Sequence, residues 1–496
     1  MTIFRKFFLE SIVFLCGAVV MIYEIAGSRV LGPHLGTSIF IWTSLIGIIL
    51  GSLSLGYWLG GRLADRKPTY GMLAWIVLSA AVLVGLTTLL KDAFLHLLPR
   101  VISGLKWQTI VASFFLFAPA SIFLGMVSPY AVRLKIKTLK TSGRTVGNLY
   151  AISTVGSIVG TFAAGFYLIP AMGTTNILVS LTVLLALISI ALFTFNREKL
   201  KSLPAMFLIL IAGYFQLVKE ENSVFFIDKN TQYSRVWIYE ATDSETGKPI
   251  RFMRINNESS SAMFLESEDP VFDYMKYYRL AEHFTPGFQS TLILGGAAYS
   301  YPKYFLERYD HATIDVVEID PQLTELAQQY FRLKDDPRMN IFHEDGRIFL
   351  NRGDYNYDVI FGDTFQSLYT LPWHLTTREA VQKKYDMLNE GGSALINIIS
   401  SLEGKASYFL RAELATYKDV FPRVYVFAVT DPHDKNLVQS IILLALKSDH
   451  EPVFHSDDTE LAEYLKHDVT DQIVTNLPIL TDEHAPVDFY MNKAIR

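Results

Sequence analysis

Seven apolar segments fill the first 218 residues, at 7–31, 39–60, 70–90, 109–132, 146–169, 177–195 and 204–218. Their length limits what this half can become. A helix needs about 20 apolar residues to cross a bilayer, and in lipid only a structure that satisfies its own backbone N–H and C=O groups survives. The first six segments approach or exceed that length. The seventh is about 15 residues, roughly 22 Å of helix, short of the ~30 Å hydrocarbon core. The first segment is too long for the core of a secretory signal, and more spans follow it. A polytopic helical membrane domain over residues 1–220 is the expectation.

Charge orients it. Arg5 and Lys6 precede the first span, and Arg62, Arg66 and Lys67 follow the second. Arg133, Lys135, Lys137, Lys140 and Arg144 follow the fourth, and Arg197, Lys199 and Lys201 follow the sixth. The alternate loops are poorer in cations, so the N-terminus is read as cytoplasmic. Six full spans, with the seventh segment interfacial or re-entrant, keep the C-terminal half in the cytoplasm at the inner (plasma) membrane. Gly47/Gly51, Gly56/Gly60 and Gly156/Gly160 have the four-residue spacing that lets helix backbones touch. Glu24, inside the first span, is costly in lipid. It is either ion-paired, with Arg29 or a loop arginine, or a polar lining for a cationic solute.

The whole chain has 44 basic and 49 acidic side chains, a net charge of −5. Its cations are bunched in membrane loops, which argues against a nucleic-acid partner. Cys16 is the one cysteine and lies in the first apolar run, which excludes an intrachain disulfide and a cysteine zinc site; no metal is expected.

From residue 221 the composition is that of a soluble domain. Short β runs at 224–227, 234–239 and 249–256, then a helical pattern at 270–284, predict a small antiparallel lead-in over 221–286. Residues 287–496 then read as a Rossmann-like α/β domain. A strand at 290–294 runs into Gly295-Gly296, a helix covers 301–308, and a strand at 312–317 ends in Glu318-Ile319-Asp320. A second acid-tipped strand ends Phe361-Gly362-Asp363. The glycines let the chain turn sharply and let a ligand approach the backbone. Glu318, about 20 residues on, sits where an acid accepts ribose hydroxyls. Ala297 to Ser300 occupy the positions of a dinucleotide fingerprint's later glycines, so a nucleoside without phosphates, of the S-adenosylmethionine type, is the better fit. Asp363 opens the loop where substrate binds in such sheets, as a base or a cation-holding carboxylate. His374 is either a ligand or general base, or a hydrogen-bonded structural residue. Thr376 or Thr377 caps the next helix, with Glu379 in position for a capping box.

Leu294-Gly295-Gly296, Val316-Val317-Glu318-Ile319-Asp320, Asp336-Pro337-Arg338, Glu344-Asp345-Gly346 and Tyr357 to Asp363 together resemble the spermidine synthase (polyamine aminopropyltransferase) family, over about residues 220 to 445. Pro372-Trp373-His374-Leu375-Thr376 and Thr481-Asp482-Glu483-His484-Ala485-Pro486-Val487 look like its bacterial membrane-bound branch. The resemblance implies decarboxylated S-adenosylmethionine, or S-adenosylmethionine, as co-substrate. It implies Glu318 on the ribose, Asp345 on the adenine amino group with Gly346 beside it, and Asp363 as acceptor of the attacking amine's proton. Tyr274 matches the family's substrate tyrosine, and Gln366 and His374 fall in its substrate loop.

Two positions depart from the pattern. Ala298 and Gln366 stand where the soluble enzymes have aspartates that neutralise ammonium groups, and an ammonium buried without an anion is costly. Three readings stay open: an aminopropyltransferase acting on a polyamine amine, an S-adenosylmethionine-dependent methyltransferase, and a non-catalytic polyamine or nucleoside sensor or transporter-linked domain. The partners implied are a small amine or polyamine and the lipid bilayer, with a homodimer allowed.

Overall fold

The computed structural model describes residues 2–136, 138, 141–217, 225–243, 246–256, 258–364 and 371–494. They form two compact units, Met1–Ser223 with Gln232–Ser234, and Val224–Thr231 with Arg235–Arg496.

Among the described residues, six helices of the first unit are long and apolar enough to cross a membrane: Phe7–Leu35, Ile39–Arg66, Tyr70–Val101, Leu105–Lys135, Ser142–Ala171 and Thr174–Phe195. The seventh apolar segment is the 15-residue helix Leu203–Leu217. The third helix runs on past the apolar stretch to Val101, and the buried Lys91 ammonium lies 2.8 Å from Asp92. Tyr23 ties three helices together through Thr87 Oγ1 and the carbonyl of Leu116, each at 2.9 Å.

The glycines divide by face. A Cβ at Gly56 would collide with the carbonyl of Ile122, and one at Gly156 or Gly160 with the carbonyls of Phe14 or Ala18. At Gly60 it would stand 2.6 Å from Met126 Cα. These four permit backbone contact. Gly47 and Gly51 do not: nothing lies within 4 Å of a Cβ built there. The buried stripe of that helix is Ile41, Leu45, Ile49, Ser52, Leu53, Gly56 and Gly60, and a residue two positions off such a stripe faces away. Glu24 is buried. Of the alternatives read for Glu24, the ion pair is not formed among the described residues, none of which bonds its carboxyl.

In the second unit, β1 (Phe226–Asn230), β2 (Arg235–Thr242), β3 (Pro249–Ile255) and β4 (Glu258–Phe264) form an antiparallel sheet in sequential order. The helical pattern at 270–284 breaks into Tyr274–Tyr277 and Leu280–Phe284. Between them Arg279 N–H bonds Lys276 and Ala281 N–H bonds Tyr278, three residues back, the tighter 3₁₀ geometry.

The larger sheet contains β5 (Ser290–Leu294), β6 (Thr313–Val317), β7 (Met339–Phe342), β8 (Tyr357–Gly362), β9 (Leu388–Ser400), β10 (Arg423–Ala428) and β11 (Gln439–Leu446). Their order is β10-β11-β9-β8-β5-β6-β7, and β11 is antiparallel to both its neighbours. Both faces of the central strands are covered, and the runs 292–294, 316–317 and 359–361 are buried. Ile293, Val316 and Phe361 enter one core with Val236 and Met263 of the small sheet. Leu292, Leu294, Val317 and Ile360 enter the other. From β5 the chain steps outward to β6 and β7, then returns to place β8 on the other side of β5. That reversal opens a crevice at the carboxyl ends of β5 and β8.

Gly156→Leu should cost about 1–3 kcal/mol by overpacking, and Gly51→Leu, on the open face, within about 0.5 kcal/mol. Thermal unfolding of the full-length protein in detergent checks the pair; equal losses would refute the assignment of faces.

Candidate active site

The crevice is built around Gly295. Its φ of +99° is a left-handed conformation that favours glycine. Its N–H donates to Val317 of β6 at 2.9 Å, while Asp363 N–H donates to Leu294 at 2.9 Å. A Cβ at Gly295 would stand 2.8 Å from the carbonyl oxygen of Asp363. The three strand ends therefore meet with no room for a side chain between them.

The turn that follows is left-handed twice more, at Ala297 (φ 46°) and Tyr299 (φ 57°). A residue with a Cβ pays roughly 1–2 kcal/mol there. Surrounding bonds hold the shape. Tyr299 N–H donates to Gly296 at 2.7 Å. The Tyr299 hydroxyl bonds Thr324 Oγ1 at 2.6 Å, and Thr324 in turn meets His343 Nε2 at 2.9 Å. Ala298 is fully buried, and its N–H donates to Ser261 Oγ of β4 at 3.2 Å.

Glu318, at the tip of β6, closes on this turn. Its Oε2 accepts from the N–H groups of Gly296 and Ala297, and its Oε1 from that of Asp320, all at 2.9 Å. Burial holds the carboxyl above its usual range, against the pull of those three donors. A carboxylate offers about four acceptor sites, so most of Glu318's capacity serves the turn and one site remains for a hydroxyl.

Asp345, just past β7, caps the helix Gly346–Arg352: Oδ1 accepts from Arg347 N at 2.8 Å and Ile348 N at 3.2 Å. Its Oδ2 lies 3.2 Å from His374 Nε2. A side chain at Gly346 would make only ordinary contact with Leu375. The cap on the following helix is Thr377, which accepts from Ala380 N; Glu379 turns instead to the N–H of Asp482.

Asp363 gathers a different set. The Tyr274 hydroxyl donates to Oδ2 at 3.0 Å, and Asn397 Nδ2 lies 3.5 Å from Oδ1. Tyr278 sits beside Tyr274, ring centroids 5.8 Å apart, and donates to the Gly362 carbonyl at 3.3 Å. Burial, with the Asp363 charge, drives the Tyr278 hydroxyl well above its ordinary pKa. Asn397 is fully buried, and its Oδ1 has no hydrogen-bond partner among the described residues. Sequence reasoning passed over Asn397 and read Tyr278 as an aromatic point of the 270–284 helical pattern, with packing in the core as the alternative. The signal for Asn397 was its place as a lone amide in the apolar strand Ala394 to Ile399.

The predicted residues thus fall in a row along one sheet edge: Asp363 with Tyr274 at β8, Gly295 and Gly296 at β5, Glu318 at β6, and Asp345 with His374 beyond β7. Gln366 lies outside the described residues.

Residues 279–454 match the family model described as the Spermine/spermidine synthase domain. The polyamine aminopropyltransferase of Vibrio vulnificus is 28% identical over 185 residues, 36% of this chain and 60% of that protein. Polyamine aminopropyltransferase 1 of Streptomyces coelicolor is 21% identical over 431 residues, 78% of this chain and 76% of that protein. Among solved structures, a probable spermidine synthase from Corynebacterium glutamicum is 27% identical with a TM-score of 0.40, covering 47% of this chain and 83% of that one. The chain spans under two thirds of the Vibrio relative's length. It carries a spermidine synthase-type α/β domain, as the motifs implied.

Glu318→Gln turns one acceptor oxygen into a donor, so either the Gly296/Ala297 pair or Asp320 loses its partner. A stability loss of about 1–3 kcal/mol is expected, measured by thermal melting; an unchanged melting temperature would mean the turn holds itself.

Proposed function

We propose that the spermine/spermidine synthase domain of this chain is an aminopropyltransferase, moving the aminopropyl group of decarboxylated S-adenosylmethionine to an amine of a polyamine. The observation that carries the reading is the hydrogen bond from Tyr274 to Asp363 at the β5/β8 crevice. The bond orients a carboxylate that is anchored to the strand ends, as a proton acceptor requires.

The reaction is a displacement at a sulfonium carbon. The amine's lone pair forms the new N–C bond, the C–S bond breaks, and the sulfur leaves as a neutral thioether with the bonding pair. No acid is needed. The amine must be unprotonated to attack, and Asp363 takes the proton it sheds. Alignment of nitrogen, carbon and sulfur supplies much of the rate. Gly295 and Gly296 let the nucleoside approach the backbone, Glu318 has one acceptor site left for the ribose, and Asp345 Oδ2 suits the adenine amino group.

Ala298 and Gln366 remove two carboxylates from this scheme, so the amine is held by hydroxyls and amides, with Asp363 as its anion. The finer organisation belongs to the same proposal: a membrane domain over 1–220, a β lead-in over 221–286 and a catalytic domain over 287–496. The six apolar helices and the cation-rich alternate loops support insertion in the inner membrane with the catalytic domain in the cytoplasm.

Full-length protein given decarboxylated S-adenosylmethionine and a panel of amines should release methylthioadenosine and an aminopropylated amine, read by mass spectrometry. Asp363→Asn should lower kcat at least about 100-fold, and Tyr274→Phe about tenfold or more, without loss of fold. Methylated amine formed from S-adenosylmethionine instead would reassign the reaction, and no product with any amine would refute it.

A further inference from the structure

Asp345 reaches a base with one oxygen only, because Oδ1 is committed to the helix cap. At the other oxygen stands His374 Nε2, 3.2 Å away. The direction in which Asp345 faces a nucleoside therefore depends on where His374 is held. His374 lies in the short 3₁₀ turn Trp373–Leu375, which is held at two successive carbonyls. Arg347 donates to the His374 carbonyl at 2.8 Å, and the buried Lys384 ammonium donates to that of Leu375 at 3.0 Å.

Arg347 is itself aimed from far along the chain. Asp482 accepts from its guanidinium on both oxygens, at 3.1 and 2.7 Å, the bidentate geometry that fixes a planar fork in direction as well as in distance. Asp482 is anchored in turn. The Thr377 hydroxyl donates to Oδ1 at 2.7 Å, and the Asp482 N–H donates to Glu379 at 3.0 Å. Its loop is closed by reciprocal bonds between Thr481 and His484, and Leu480 accepts from Arg378 N–H at 2.7 Å.

A ring is thereby completed. Asp345 caps the helix that carries Arg347, Arg347 fixes the His374 backbone, and the His374 side chain returns to Asp345. Asp482 closes the ring from outside. An ion pair this exposed adds little to stability; what it supplies is direction.

We infer that Asp482 is a positioning residue for nucleoside recognition, acting through Arg347 on the His374–Asp345 pair. The C-terminal turn Thr481 to His484 is then part of the apparatus that selects an adenine base. The inference rests on the reading of Asp345 given under the proposed function.

Isothermal titration of the detergent-solubilised full-length protein with 5′-methylthioadenosine and with its 6-oxo analogue, 5′-methylthioinosine, tests both. The intact protein should prefer the 6-amino nucleoside. Asp482→Asn should weaken that nucleoside by about tenfold, leave the 6-oxo analogue nearly unchanged and so narrow the preference, with Asp482→Glu recovering part of it. Equal affinities in the intact protein and Asp482→Asn would overturn the inference and leave the nucleoside reading standing. Binding of neither nucleoside by the intact protein would overturn that reading, and the inference with it. Should Asp482→Asn fail to fold, Thr377→Val removes another donor to Asp482 and is expected to shift the preference the same way by a smaller factor; no shift would again count against the inference.

Discussion

The close meeting of β5, β6 and β8 at Gly295 is the contact on which the rest of the α/β unit depends. Asp363 is anchored by its own N–H to the last residue of β5, and its carbonyl occupies the space a Cβ on Gly295 would take. The carboxylate is consequently a fixed point of the sheet rather than a loop residue. Tyr274 and Asn397 reach it from two other elements, and Glu318 holds the turn on the opposite side.

The turn itself shows how a sharp strand-to-helix bend can be kept with few glycines. Gly295 alone of its three left-handed residues is free of steric cost there; Ala297 and Tyr299 adopt the same region with a Cβ. Such conformations persist where neighbours over-determine them. Here Ser261 binds the backbone at Ala298, Glu318 binds two N–H groups, and the Tyr299 ring is moored to Thr324 and His343. Sealing Ala298 under β4 is part of this bracing. Ala298 presents there a methyl group with no exposed surface.

In the helical unit the governing contact is also an absence of side chain. Gly56 and Gly60 on one helix, and Gly156 and Gly160 on another, bring backbones together. Glu24 lies within this packing, with no described residue bonded to it.

Much of this was legible along single segments. Apolar length alone set the six helices, and β-strand, glycine and acid in succession set the α/β type and put Glu318 and Asp363 at strand ends, because these are properties of contiguous residues; Asp345 came from the family resemblance. What the sequence did not decide is which segments face each other. Gly47 and Gly56 carry the same spacing, and only the neighbouring helix distinguishes them. Tyr274 lies 89 residues before the acid it touches, and Arg347 lies 135 before its partner Asp482. His374, read as a residue of the substrate loop, is grouped by the crossovers with Asp345. Side-chain partnership depends on strand order and helix rotation, which arise only when distant segments pack, so the tertiary structure alone decided who meets whom.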